Sequence, residues 1–157
     1  MSRKATDETR RNWERPDQDT RKLRRHLITA LLRSGICLTL QDAHGRYVFI
    51  INLPDRWTLP DGGEPQDEQI YGAELSGRLD LAKTRACKSG NPERVYTEQA
   101  DGRYFEFFIE SYPDGSDVAI LTTVTELTEE RRREKVLKSL LREVSHRSKN
   151  LMAIIQS

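Results

Sequence analysis

The chain has 157 residues, of which 36% are apolar and 32% are charged, so it fits one domain with solvated extensions. No apolar run approaches the ~18 residues of a transmembrane helix, and the first residues lack the apolar stretch of a secretory signal. The net charge of +1 is unevenly spread, because residues 1–33 and 126–157 are basic whereas residues 34–125 are acidic. We therefore predict three segments and no membrane partner.

The two cysteines, Cys37 and Cys87, lie far apart and do not form a CxxC motif. Such cysteines in a chain without a recognisable signal favour reduced thiols, as found in the cytoplasm. We therefore predict a cytoplasmic protein without a metal site.

The first part of the chain is polar and then becomes amphipathic. Residues 1–17 have no periodic apolar face and are predicted to form a disordered tail. Their basic residues suit contact with nucleic acid, but a solvated tail without a nucleic-acid partner is the favoured interpretation. Residues 18–34 are predicted to form a helix, which Asp17 or Asp19 would cap and Gly35 would end. Its apolar stripe would cover the following sheet or the same helix of a second chain; the stripe consists of Leu23, Leu27, Ala30 and Leu31.

The central part of the chain alternates strand and helix patterns. Apolar alternation and turn residues predict five strands, at residues 35–41, 46–52, 93–99, 103–112 and 117–124. Proline and glycine predict loops over residues 53–65, followed by a short helix at 66–72. A longer helix at 74–89 has one apolar face, made of Leu75, Leu79, Ala82 and Ala86. The predicted fold class is α+β, with a five-stranded antiparallel sheet and helices packed on one face.

From Thr125 a long charged helix is predicted to run to the end of the chain, with Thr125 or Thr128 as its cap. Its residues follow a heptad repeat, with Leu141, Ser148 and Ile155 at a positions and Leu137, Val144 and Leu151 at d positions. This pattern predicts a seam that pairs two copies of the chain, weakened where Glu134 occupies an a position. His146 falls at f, opposite the seam, where a neutral imidazole would be a solvent-facing nucleophile.

The order of elements over residues 35–124 resembles a PAS sensor domain. Residues 122–131 resemble the D-I-T-E-x-K/R-type segment in which the last PAS strand passes into a signalling helix, with Val124 and Thr125 in place of the usual Asp-Ile order. The resemblance implies a PAS sensor domain at residues 35–125 and a signalling helix at 126–157, which leads into a dimerisation and phosphotransfer domain.

Residues 140–150 resemble the phosphoacceptor box of the HWE histidine kinases, whose core reads H-R-x-K-N. His146, Arg147, Lys149 and Asn150 match that core. The resemblance implies a homodimeric sensor kinase in which His146 takes a phosphoryl group from ATP and passes it to the receiver domain of a response regulator. Arg147 and Lys149 would steady phosphate oxygens. Asn150 and Glu143 lie one helical turn from His146. Asn150 would orient the imidazole or a hydrolytic water, and Glu143 would fix the tautomer.

The resemblance also implies an ATP-binding domain, with Mg²⁺, after the phosphoacceptor box. No such domain lies within these residues, so we expect a fragment of a longer kinase that is inactive alone. A flavin is not expected, because residues 69–72 contain no cysteine motif, and a haem is not expected, because residues 74–89 contain no histidine. Four aromatic residues either line a pocket for a small-molecule ligand or form plain core, namely Trp57, Tyr71, Tyr104 and Phe107. The alternative to a kinase is a stand-alone PAS interaction module without phosphotransfer.

Overall fold

The computed structural model of the chain describes residues 19–157, which are divided into two units after Gly35. In the first unit, helix α1 (Thr20–Ser34) is capped by the side chain of Asp19, which accepts a hydrogen bond from the Arg21 amide at 3.0 Å. Gly35 ends the helix with a φ of +70°, a conformation that favours glycine. The predicted helix and its Asp19 cap are thus confirmed, whereas the predicted tail and Asp17 lie outside the described residues.

The second unit is an α+β domain, as predicted. It contains β1 (Cys37–Gln41), β2 (Tyr47–Ile51), α2 (Asp67–Tyr71), α3 (Ala73–Ser89), β3 (Glu93–Glu98), β4 (Tyr104–Asp114), β5 (Asp117–Glu126) and α4 (Thr128–Gln156). The five strands form one sheet in the order β2-β1-β5-β4-β3, and every neighbouring pair is antiparallel. Helix α3 packs on one face of this sheet, which we call the inner face.

The core lies between α3 and the inner face of the sheet. Phe105, Phe107 and Ile109 of β4 are fully buried, and α3 buries the whole apolar face that its sequence predicts. The aromatic run of β4 is nevertheless not buried throughout, because alternate side chains of a strand point to opposite faces. Phe108 and Tyr112 lie on the outer face of the sheet, and Tyr112 is exposed.

Strand β1 has the opposite phase to the one that its apolar residues suggest. Its buried residues are Cys37, Thr39 and Gln41, whereas Leu38 and Leu40 lie between them on the outer face and are partly exposed. The pairing Gln41↔Tyr47 turns the Gln41 side chain toward the same face as Tyr47, where both meet Asp67. The inner face of the domain therefore has a polar end next to its apolar core.

The junction between β5 and α4 lies later than predicted. Strand β5 continues to Glu126, which pairs with Phe105 of β4, so Thr125 is a strand residue and cannot cap the helix. The helix begins at Thr128, with Leu127 before it and without a side-chain cap. Both predicted caps are therefore wrong, because continued pairing with β4 holds the chain extended for two further residues. Among the described helices, none is long and apolar enough to cross a bilayer.

Candidate functional site

The predicted phosphoacceptor lies on an exposed part of α4. From Leu137 to Ile155 the five apolar a and d residues are each more than half exposed within this chain. Ser148 interrupts this row at an a position, and further exposed apolar side chains flank it at Val136, Leu140, Met152 and Ile154. An apolar row this long on a solvated helix is typical of a surface that pairs with another helix.

His146 and Asn150 are in contact on this helix. The Nδ2 atom of Asn150 lies 3.3 Å from Nδ1 of His146, as the spacing of four residues allows. The other ring nitrogen, Nε2, is thereby left facing away from Asn150. The two side chains are therefore close enough for Asn150 to orient the imidazole, and that role stays a prediction.

The other residues of the motif do not touch His146. Glu143 accepts a hydrogen bond from Arg147 at 2.6 Å, and both side chains are well exposed. Lys149 is exposed and forms no ion pair among residues 19–157. The structure therefore brings Glu143 to Arg147 rather than to the imidazole, and the tautomer role predicted for Glu143 has no contact to support it.

The predicted aromatic pocket divides between the two faces of the sheet. Trp57, Tyr71 and Phe107 pack against one another on the inner face, with ring centroids 5.2–5.6 Å apart and edge-to-face orientations. Tyr104 lies on the outer face instead, where it stacks on Tyr96 with centroids 5.9 Å apart. The alternation of β4 separates Tyr104 from the other three rings.

A buried polar network extends from these rings and was not predicted. Asp67, at the start of α2, accepts hydrogen bonds from Lys83, Tyr47 and Gln41. Burial raises the pKa of Tyr47 far above its ordinary value, and nearby Tyr71 and Asp67 add to that rise. Sequence does carry one signal of this network, because Lys83 lies on the same helical face as Leu79 and Ala86. A lysine within an apolar stripe requires a buried partner.

A second network joins the sheet to α4. The hydroxyl group of Thr128 accepts a hydrogen bond from the Tyr104 amide at 3.0 Å and donates one to Glu126 at 2.8 Å. Arg103 binds Glu126 through two nitrogens and Asp55 through one. Hydrogen bonds from Arg103 and Thr128 lower the pKa of Glu126. The contacts at the junction are therefore made by residues 126–128, two residues after Val124 and Thr125, where the sequence predicted the junction.

Comparison with known proteins identifies the fold. No protein-family model and no curated protein sequence matches the chain. The solved structure of an RNA-binding light-oxygen-voltage receptor matches with a TM-score of 0.57 and 14% identity, over 83% of this chain and 40% of that one. The PAS domain of Bordetella pertussis BvgS matches with a TM-score of 0.49 and 14% identity, over 78% of this chain and 98% of that one. A C-terminal domain from Streptococcus mutans has a TM-score of 0.48 and 7% identity, over 69% and 87% of the two chains.

At these sequence identities a structural match shows similarity of fold alone. The fold assignment rests on the match to the light-oxygen-voltage receptor, whose TM-score is 0.57. Both structures contain a five-stranded antiparallel sheet. The chain has a PAS-type fold.

Proposed function

We propose that the chain is the sensory and dimerisation portion of a two-component histidine kinase in which His146 is the phosphoacceptor. The observation that carries this proposal is the contact of His146 with Asn150 on an exposed helical face, within a sequence that resembles the H-R-x-K-N box. An isolated exposed histidine would not support it. A histidine with an orienting amide, on a helix that leads directly out of a sensory fold, does.

The orientation of the Asn150 amide decides which nitrogen of the His146 imidazole carries the proton. In the structure Nδ2 of Asn150 faces Nδ1 of His146, an orientation in which Nδ1 accepts the hydrogen bond and the ring proton lies on Nε2. When the Asn150 amide is flipped and presents its Oδ1 atom instead, that oxygen accepts a hydrogen bond from Nδ1–H of His146. The proton is then held on Nδ1, and the lone pair lies on Nε2, which faces away from Asn150. In this tautomer Nε2 is the nucleophile.

The reaction follows from that tautomer. The lone pair of Nε2 attacks the γ-phosphorus of ATP, the bond from that phosphorus to the bridging oxygen breaks, and ADP leaves. An aspartate carboxylate of a response regulator then attacks the same phosphorus, and His146 leaves as a neutral imidazole that keeps its Nδ1 proton. The nucleotide and its Mg²⁺ would come with an ATP-binding domain, so this chain contributes the phosphoacceptor.

The charges next to His146 suit a phosphoryl group. Lys149 is exposed and Arg147 is held only by the exposed carboxylate of Glu143, so both cations can turn toward phosphate oxygens at little cost. Because an exposed ion pair contributes little energy, an incoming phosphate can displace Glu143 from Arg147. Glu143 would then act as a temporary partner of Arg147 and not as a base.

The PAS fold supplies a mechanical link to this site. α4 starts at the strand end that Arg103, Glu126 and Thr128 tie together, and its apolar seam begins at Leu137. We propose that the seam pairs two copies of the chain, and that the sensory domain regulates phosphorylation of His146 by changing that pairing.

The test is phosphorylation of the protein produced from its complete reading frame, with MgATP labelled in the γ-phosphate. We expect an acid-labile and base-stable label on the chain, as a phosphorus–nitrogen bond to histidine requires. His146→Ala should abolish the label. The chain offers matched controls, because His26→Ala and His44→Ala remove its other two histidines and should leave the label unchanged.

Two results would contradict the proposal. A label that persists in His146→Ala would place the phosphoryl group on another residue. A complete protein that never acquires a label with MgATP would favour a PAS interaction module without phosphotransfer. Asn150→Ala separates the orienting role from folding, because it should slow labelling while the circular dichroism spectrum stays unchanged.

A further inference from the structure

A cleft of about 340 Å³ lies at the polar end of the PAS domain, away from the aromatic rings of the core. Three walls form it: the turn between β1 and β2, the loop that leads into α2, and one stripe of α3 made of Ser76, Asp80 and Lys83. All three belong to the same unit of the structure. The cleft is separate from His146 and from the four aromatic rings that the sequence offered as either a pocket or plain core.

The cleft has an excess of negative charge. Four carboxylates line it, those of Glu64, Asp67, Glu68 and Asp80, against two fixed cations. Both cations are already neutralised, because Lys83 binds Asp67 in a nearly buried pair and Arg46 binds Asp42 at 2.9 Å. Within residues 19–157, Glu64, Glu68 and Asp80 have no ion-pair partner. The rim is therefore acceptor-rich and attracts cations.

The floor of the cleft holds a buried acceptor without a donor. The side chain of Gln41 is nearly fully buried, at 3% exposure. Its Nε2 atom donates to the Gly45 carbonyl at 2.9 Å and to Asp67 at 3.3 Å, and both residues line the cleft. Its Oε1 atom accepts no hydrogen bond from any of the described residues. A buried amide oxygen that lacks a donor costs free energy, and a donor from a ligand would recover it.

We propose that this cleft binds a small organic cation with N–H donors at both ends, of the aliphatic diamine class. One ammonium group would donate to Oε1 of Gln41 at the floor once the groups that cover this atom move aside, because the atom is closed to solvent in the free chain. The other would lie among the carboxylates of Glu64, Glu68 and Asp80 at the rim. This inference goes beyond the proposed kinase function and does not depend on it, because binding can be measured without phosphotransfer.

Other small ligands fit the cleft less well. An anion would meet three unpaired rim carboxylates, and the only deep cation, Lys83, is already bound to Asp67. A metal ion needs several ligands at close range. Among the described residues, no three His, Cys, Asp or Glu side chains come together closely enough to hold one. A flexible chain with separated ammonium groups fits both the spread of the carboxylates and the single acceptor below them.

The experiment is isothermal titration calorimetry of the whole chain at low ionic strength, with 1,4-diaminobutane as the probe. Glutarate, a dianion of similar length, and MgCl₂ serve as the comparison probes. We expect saturable binding of one diamine per chain, with no saturable heat from glutarate or magnesium. Absence of saturable diamine binding, or equal binding of either comparison probe, would overturn the proposal.

Three variants locate the site. Gln41→Met removes the floor acceptor at similar volume and should weaken binding by about tenfold, as loss of a hydrogen bond to a charged group implies. Asp80→Asn, on the exposed rim, should weaken it by about threefold and preserves a readout if Gln41→Met does not fold. Asp114→Asn, an exposed control at the β4–β5 turn, should bind as wild type does. If Asp80→Asn binds as tightly as Asp114→Asn, diamine binds elsewhere and the proposal fails.

The same titration keeps this inference apart from the kinase proposal. His146→Ala should bind diamine normally, because His146 is on α4 and does not line the cleft. Failure of phosphorylation would therefore leave the diamine result standing, and failure of diamine binding would leave the phosphorylation result standing.

Discussion

The carboxylate of Glu126 accepts two hydrogen bonds from the guanidinium of Arg103, one from Nε at 3.0 Å and one from Nη2 at 2.8 Å. This bidentate pair lies at the last residue of β5, where the sheet passes into α4. Next to it, the Leu127 amide donates to the Tyr104 carbonyl at 2.7 Å. The pair therefore stabilises the point from which any movement of the sheet would reach the helix.

Removing this pair should loosen the junction more than it destabilises the domain. Because both groups are solvated, we expect Glu126→Gln to lower Tm by only about 1–4 °C. Exchange of the Leu127 amide with deuterium should become faster, because the strand end that holds it is released. The control is Glu98→Gln, which removes an ion pair with Lys135 at 3.0 Å but does not touch Leu127. Unchanged exchange at Leu127 would show that the pair does not hold the junction.

The pH dependence of this effect has a definite sign. The folded-state pKa of Glu126 lies below its ordinary value, because Arg103 and Thr128 donate hydrogen bonds to its charged form. Its contribution is therefore fully present above the unfolded pKa of about 4.3 and is lost as the pH falls through the folded pKa. The difference in Tm between wild type and Glu126→Gln should shrink as the pH is lowered through that range. A difference that grows on acidification would contradict this assignment.

The buried pair of Lys83 and Asp67 should be costly to break. Both side chains are about 10% exposed or less, so Lys83→Met would leave the Asp67 carboxylate buried without its cation. We expect a loss of about 3–5 kcal/mol in the free energy of unfolding, measured by urea denaturation. Arg85→Met is the matched control, because its ion pair with Glu93 is exposed and should contribute less than about 1 kcal/mol. Equal effects of the two substitutions would show that burial of Lys83 is not important.

Two neighbouring phenylalanines of β4 lie on opposite faces of the sheet, and only one of them belongs to the core. Phe107 is fully buried against Trp57 and Tyr71, whereas Phe108 lies on the outer face under the guanidinium of Arg94. Phe107→Ala should therefore reduce the free energy of unfolding by about 3–5 kcal/mol. Phe108→Ala should cost about 1 kcal/mol, since it loses partial burial and one cation–π contact. Thermal and urea denaturation of both variants measure these changes. A similar loss of unfolding free energy in the two variants would mean that the inner rings are loosely packed.

Sequence patterns were sufficient where apolar residues decide the structure. Helix α3 was predicted within one residue of its start, because its four buried apolar residues recur at helical spacing. The alternation of apolar residues in β1 predicts that Leu38 and Leu40 face the core, yet Gln41 faces inward instead. The reason is a tertiary contact, because the Gln41 side chain donates a hydrogen bond to Asp67, which is distant in the sequence. No local pattern contains that information.

The same limit applies to predicting the contacts of the candidate site from the sequence. The H-R-x-K-N spacing placed His146 and Asn150 one helical turn apart, and within a regular helix that spacing is enough to predict their contact. The partner of Glu143 could not be predicted in this way, because both His146 and Arg147 lie within reach of its carboxylate. The start of α4 was missed because the hydrogen bonds of Tyr104 with Leu127 and Thr128 depend on how β4 and β5 pair.

The seam of α4 gives the most direct test of dimerisation. Leu141 belongs to the exposed apolar row, at an a position, and is 60% exposed in the single chain. If the row pairs two copies, Leu141→Asp would place two carboxylates against each other in an apolar interface, which is strongly unfavourable. We expect this variant to be monomeric by size-exclusion chromatography with light scattering, at concentrations where wild type is dimeric.

A matched substitution on the opposite side of the helix controls for charge and helix propensity. Ser139 occupies an f position, as His146 does, and Ser139→Asp adds the same charge to the same helix away from the seam. This variant should remain dimeric, and its helix content by circular dichroism should match that of Leu141→Asp. Equal loss of the dimer in both variants would indicate that added charge alone disrupts association. A wild-type chain that is monomeric at all concentrations tested would mean that the apolar row of α4 pairs with a different protein.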